Sequence, residues 1–239
     1  MPVLEKLICD IPVAGIQKLT TIDFPDHIAA VLFTSGCPWN CRYCHNPDLR
    51  SNSNKYCISW NSIENFLKSR KGFLDGIVIS GGEPTLHFYL PEFLKLIRQI
   101  GYKTAIHTNG FYPEMLQQII NKGLIDYIAM DIKGPPRAYD RITRSSGTCL
   151  PVSKSIKMII SSGIEYEFRT TYHPAMLSEE ELMDTMKAIL SAGCKKYYLQ
   201  KFRKKGVRDE ELVNSYDVVS LPESAINFGQ KLFPEFGTR

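Results

Sequence analysis

The sequence predicts an α/β fold, an open partial (β/α)6 TIM-like barrel. Three observations carry that prediction. Short apolar runs of strand length alternate six times with longer amphipathic runs of helical length. Such alternation argues for parallel strands joined by right-handed crossovers. The apolar runs are nearly continuous, as in strands buried on both faces. Polar or glycine-rich residues gather after each run, where parallel α/β folds carry their sites. Six units are too few to close an eight-stranded barrel.

The elements follow in order. Met1 to Asp26 reads as a short extended segment with a turn. Ile28-Ala29-Ala30-Val31-Leu32-Phe33 is the first buried strand. Ser59 to Lys71 is a helix, with Ile63, Phe66 and Leu67 on one face at i, i+3, i+4. Gly76 to Ser80 is the second strand. Pro91 opens the next helix, where a missing N–H costs nothing, with Phe93, Leu94, Ile97 and Ile100 turned inward. Thr104 to Thr108 is the third strand, and Pro113 to Lys122 a helix stopped by Gly123. Tyr127 to Asp131 is the fourth strand, followed by a long loop, Ile132 to Leu150. Pro151 to Ser162 is a helix, Ile164 to Thr171 a strand. Ser178 to Leu190 is a helix whose Ser178 and Glu181 match a capping box. Lys195 to Gln200 is the last strand and Pro222 to Phe233 the last helix.

Composition bounds the rest. At 44% hydrophobic and 23% charged residues, the 239-residue chain is globular rather than disordered. We expect one domain over 1–239, with 1–27 as its N-terminal extension. No apolar run approaches the roughly 18 residues of a membrane helix, and Met1 to Asp10 has no signal-peptide pattern. The expectation is a cytoplasmic protein without a membrane partner. Seven cysteines in that compartment argue against disulfides. Cys9, Cys57, Cys149 and Cys194 are scattered and read as ordinary thiols. The net charge of +4 is mild. One dense basic run, Lys201-Phe202-Arg203-Lys204-Lys205-Gly206-Val207-Arg208, reads as a solvated loop or an anion-contacting rim. It is too little to indicate nucleic-acid binding.

The stretch that organises the chain runs Thr34-Ser35-Gly36-Cys37-Pro38-Trp39-Asn40-Cys41-Arg42-Tyr43-Cys44-His45-Asn46-Pro47. Cys37, Cys41 and Cys44 are spaced C-x3-C-x2-C and can converge on one metal or cluster. Structural zinc wants four ligands, and His45 could supply the fourth. A [4Fe–4S] cluster held by three thiolates keeps one iron open to a substrate, unlike the four-cysteine ferredoxin runs. One helix and one strand later come Gly81-Gly82-Glu83. Then follow His107-Thr108-Asn109-Gly110, Asp131-Ile132-Lys133, Arg169-Thr170-Thr171-Tyr172-His173 and Gln200-Lys201-Phe202-Arg203. Each set falls at the end of a predicted strand.

The C-x3-C-x-aromatic-C spacing, with Gly81-Gly82-Glu83 behind it, resembles the radical S-adenosylmethionine (radical SAM) superfamily. The resemblance narrows with Gly15 to Pro25, Cys44-His45-Asn46-Pro47, Ala129 to Pro136, Arg169 to Pro174 and Leu199 to Arg203. Together these look like the anaerobic ribonucleoside-triphosphate reductase activating proteins, relatives of pyruvate formate-lyase activating enzyme. The resemblance implies a partial barrel and one [4Fe–4S] cluster on Cys37, Cys41 and Cys44. It implies reductive cleavage of S-adenosylmethionine (SAM) to a 5′-deoxyadenosyl radical, and a glycyl radical set on a partner reductase. An electron donor of flavodoxin or ferredoxin type is implied with it. In that scheme Tyr43 lies near the adenine, and Gly81, Gly82 and Glu83 hold the SAM amino group. Thr108 and Asn109 face the ribose and methionine part. Asp131 and Lys133 order the carboxylate or ribose, and Arg169 makes a carboxylate contact. Each polar residue could instead serve a rim salt bridge. His45 could pack against the cluster, and His173 before Pro174 reads as structural. One departure stands out: the activase pattern has an aspartate before Thr-Asn-Gly that helps hold a monovalent cation near SAM. Here that position is His107, a poor ligand for such a cation. Two other readings stay open: a radical SAM enzyme acting on a small molecule, resembling 7-carboxy-7-deazaguanine synthase, and a non-catalytic iron–sulfur protein.

Overall fold

A computed structural model of the chain describes residues 11–51 and 57–239. Cys9 and the start of the predicted N-terminal extension lie outside these residues. The fold is α/β with an unclosed, mainly parallel sheet. Its strands succeed one another in chain order, from β1 to β8. The chain divides into two compact units, 1–38, 48–108 and 112–128 in the first, 39–47, 109–111 and 129–239 in the second.

In the first unit, β1 (Val13–Thr20) pairs antiparallel with β2 (Ala29–Thr34). The latter runs parallel to β3 (Gly76–Gly81), and β3 to β4 (Lys103–Thr108), in the register Val31, Val78, Ala105. Side chains alternate across a strand. Leu32, Ile77, Ile79 and Ile106 form one set, Val31, Val78 and Ala105 the other, and both sets are buried. That accounts for the continuous apolar runs. Helices α1 (Trp60–Ser69), α2 (Leu90–Ile100) and α3 (Pro113–Asn121) follow β2, β3 and β4. Ser59 caps α1 by accepting from Ser62 N–H, and Gly101, at φ 108°, closes α2. The turn between β1 and β2 folds Phe24 over Gly76, where any Cβ would stand 2.7 Å from the ring.

Strand β5 (Tyr127–Asp131) begins in the first unit and ends in the second. The second unit continues with α4 (Tyr139–Thr143), α5 (Cys149–Ser161), β6 (Glu165–Tyr172) and α6 (Glu179–Ser191). Then come β7 (Lys196–Lys201), α7 (Glu210–Asn214), α8 (Glu223–Leu232) and β8 (Glu235–Thr238). Strand β6 is parallel to β7, and β7 to β8. The capping box at Ser178 and Glu181 is present in both directions. Phe168, Tyr197 and Leu199 are fully buried, and Tyr197 stacks on Phe233 with ring centroids 5.0 Å apart.

The structure departs from the sequence reading at several elements. Within the predicted opening segment, Val13–Thr20 forms a full strand, β1, with register shifts that blur its alternation. The chain after α8 forms β8, which four residues with a central glycine do not announce. The predicted loop 132–150 holds α4 and a turn of 3-10 helix, Pro136–Ala138.

Candidate active site

In the first unit the loop carrying Cys37 and the Gly81-Gly82-Glu83 turn are built on each other. Gly82 N–H donates to Thr34 O (2.8 Å) and Glu83 N–H to Gly36 O (2.7 Å). Gly36 N–H and Cys37 N–H donate in turn to Leu49 O (2.7 Å) and Arg50 O (3.1 Å). A Cβ on Gly82 would overlap the Gly36 carbonyl, and one on Gly81, at φ 116°, the Thr34 backbone. The glycines thus admit close approach of the cysteine loop itself. Their use of N–H donors does not compete with an ammonium ligand, which needs acceptors.

Glu83 is fully buried. Its Oε1 accepts from Thr85 N–H (3.0 Å), Thr85 Oγ1 (2.5 Å) and Thr108 Oγ1 (2.6 Å). A buried carboxylate without such donors would be strongly destabilising, so Glu83 braces the turn and Thr108 braces Glu83. His107 Nε2 lies 2.8 Å from Asp23 O and ties β4 to the β1–β2 turn. Two neighbours escaped the sequence reading. His87 is buried against the Ser35 backbone, and burial holds its imidazole below the usual value. Burial pushes the Tyr112 phenol up, and Glu83 and Cys37 lie close enough to push it the same way. Only their positions, after the glycine turn and after Asn109-Gly110, could have flagged them.

The second unit holds Cys41 and Cys44, joined in a turn by Cys44 N–H to Cys41 O (3.3 Å). Cys41 is buried, Cys37 and Cys44 are half-buried, and none of the three is in a disulfide among the described residues. Burial pushes the Cys41 thiol up, while Lys133 pulls it toward the thiolate. Lys133 Nζ stands 5.4 Å from the centre of the buried Tyr43 ring, whose hydroxyl has no hydrogen-bond partner among the described residues. Burial, the largest single influence, would lower the Lys133 ammonium, but Asp131, 3.4 Å away, together with Tyr43, Cys41 and Tyr139 outweighs it and the net direction is upward.

Asp131 begins a charge chain. Arg169 Nε donates to Asp131 Oδ1 (2.9 Å), and Arg169 Nη1 lies 3.8 Å from buried Glu167. Arg239 grips both Glu167 oxygens, at 2.7 Å each, and lies 3.8 Å over the Tyr198 ring. Lys133, Asp131 and Arg169 are thus brought together, while Glu167 and Arg239 were missed by the sequence reading. Period-two alternation could have placed Glu167 beside Arg169; nothing local pointed to Arg239. Asn109 is buried, its Oδ1 accepting from Phe111 N–H (2.9 Å). Among the described residues no group of three or more His, Cys, Asp or Glu side chains is placed to hold a metal ion.

Residues 31–197 match the radical SAM superfamily. A Methanocaldococcus jannaschii protein bearing the name glycyl-radical enzyme activating enzyme is 34% identical over 204 residues, 83% of each chain. Pyruvate formate-lyase-activating enzyme of Clostridium pasteurianum is 32% identical over 128 residues, 50% of this chain and 51% of that one. Among solved structures, native anSMEcpe with bound AdoMet and Kp18Cys peptide superposes with a TM-score of 0.63 at 14% identity, covering 86% of this chain and 61% of that one. Streptococcus suis SuiB bound to precursor peptide SuiA gives 0.61 at 15%, covering 87% and 48%. At those identities the likeness is one of fold.

Proposed function

Because the chain belongs to the radical SAM superfamily, among the glycyl-radical enzyme activating enzymes, we propose that it sets a glycyl radical on anaerobic ribonucleoside-triphosphate reductase. In this reading Cys37, Cys41 and Cys44 hold one [4Fe–4S] cluster. Three cysteine thiols are a soft donor set that suits iron and sulfide. When bound, the cluster and SAM supply a 5′-deoxyadenosyl radical that abstracts hydrogen. The chain's own residues bind and orient. Gly81 and Gly82 offer carbonyls to the SAM amino group, with Glu83 bracing their turn. Tyr43 lies toward the adenine, and Thr108 and Asn109 toward the ribose and methionine part. Asp131, Lys133 and Arg169 order the carboxylate or ribose. An electron donor of flavodoxin or ferredoxin type completes the system in the cytoplasm. The family match runs through residues of both units, which supports one radical SAM domain.

The observation that carries the reading is the mutual support of the Cys37 loop and the Gly81-Gly82-Glu83 turn, through Gly82 N–H to Thr34 O and Glu83 N–H to Gly36 O. Anaerobic protein reconstituted with iron and sulfide, given SAM and dithionite, should form 5′-deoxyadenosine, and Cys41→Ala should form none. Adding the reductase should produce a glycyl radical detectable by electron paramagnetic resonance. No 5′-deoxyadenosine from cluster-loaded protein, with or without the reductase, would defeat the reading. Product without a glycyl radical would remove that partner alone.

A further inference from the structure

Within the second unit, the loop of Cys41 and Cys44 is clasped by a segment more than 150 positions away in sequence. Arg42 donates from Nε to Asp209 Oδ2 (2.5 Å) and from Nη2 to Asp209 Oδ1 (2.8 Å) and Glu211 Oε2 (2.8 Å). The Arg42 and Asp209 side chains are each 20% exposed. The contact is therefore shielded as well as bidentate, the arrangement in which an arginine–carboxylate pair holds best. The hydrogen bond from Arg42 draws the Asp209 carboxyl down to about 2. Asp209 also caps α7 through Leu212 N–H (2.9 Å). One residue beyond Cys44, His45 Nδ1 lies 3.1 Å from Lys205 O. Gly206, at φ 89°, packs so close to the His45 carbonyl that a Cβ would overlap it. Phe202 is buried beside the His45 and His173 rings, 6.0 and 4.7 Å away.

The outward side of this clasp is strongly positive. Lys201, Arg203, Lys204 and Lys205 are exposed. None of the four has an ion pair among the described residues. Two of the nearest acids, Asp209 and Glu211, are already engaged by Arg42. Concentrated cations on a fixed turn attract and orient an anionic partner. The one aromatic ring in the run, Phe202, is buried rather than offered for base stacking. We infer that the turn 203–208 is a docking surface for an acidic segment of a partner protein, held in register with the cysteine loop by the Arg42 clamp. This deepens, and rests on, the reading of the chain as an activase of a protein substrate.

Fluorescence anisotropy on the full chain, with and without the cluster, tests it. The probe is a labelled peptide of about ten glutamates, compared with a lysine peptide and an oligothymidylate. Arg203→Glu/Lys204→Glu/Lys205→Glu should weaken the glutamate peptide about tenfold, the order expected for three reversals in one contact. Lys95→Glu/Lys122→Glu/Lys187→Glu, exposed residues elsewhere, gives the same net charge and should change it less than about twofold. Equal losses in the two variants, no loss in the first, or tighter binding of oligothymidylate would each overturn the docking surface. Arg42→Gln should weaken the peptide several-fold with the melting curve retained. Asp209→Asn/Glu211→Gln is the second variant, should Arg42→Gln misfold; full peptide affinity in a folded clamp variant would remove the clamp from the proposal. Because peptide binding needs neither SAM nor a reductase, its failure leaves the glycyl-radical assay standing, and the reverse holds as well.

Discussion

Gly82 shows how much one missing side chain can decide. An alanine there would drive its Cβ into the Gly36 carbonyl, backbone that has no rotamer to yield. Gly82→Ala should displace the Cys37 loop and reduce the iron bound per chain after reconstitution, while far-ultraviolet circular dichroism stays unchanged. Unaltered iron loading would refute that account of the turn. His87 carries a pH prediction. Its folded pKa lies below the ordinary 6.5 because the ring is buried. The unfolded chain therefore binds the proton more readily, and stability is lost as pH falls below about 6.5 toward the folded value. His173 is shifted the same way, first by burial. Urea midpoints between pH 8 and 5 should fall less steeply in His87→Gln than in the parent; parallel slopes would assign the loss to other groups. The three cysteines and Gly81-Gly82-Glu83 were legible because their spacing is local. His87 and Tyr112 were not, since a lone histidine or tyrosine near a proline has no periodicity to distinguish it.

At the level of elements, α8 offers a test in which two effects oppose. Gly229 lies inside the helix, where alanine would ordinarily stabilise by about 1 kcal/mol. Here a Cβ would overlap the Phe236 ring of β8, and overpacking of that kind costs about 1–3 kcal/mol. The net effect of Gly229→Ala should be destabilising, and Phe236→Leu should restore part of the loss. A stabilised Gly229→Ala variant, measured by urea unfolding, would mean that β8 yields. The regular alternation made β2 to β7 and most of their helices readable. Strand β1 was understated because its bulges break the period. Strand β8 was missed because its stability comes from pairing with β7 and from Phe236, with Phe233, against the Tyr197 ring, tertiary contacts that a four-residue run does not announce.

For the whole molecule, an unclosed sheet has two end strands, and these should be its least protected part. Hydrogen exchange should be slowest at Leu32, Ile79 and Ile106, which are fully buried in central strands. It should be faster in β8, where Glu235 and Thr238 are exposed. Uniform protection across all eight strands would contradict this order. No helix among the described residues is long and apolar enough to cross a membrane, in line with the absence of long apolar runs. What the sequence determined by itself was the α/β alternation, the thiol-bearing loop and its glycine turn, because each is written in spacings of a few residues. What only the tertiary structure decided was which distant donors and carboxylates meet. Arg42 with Asp209, Glu167 with Arg239 and Glu83 with Thr108 join residues 25 to 167 positions apart. Each pairing follows from carboxylates, buried at Glu83 and Glu167 and half-buried at Asp209, needing donors wherever the fold brings them, and no local pattern encodes that need.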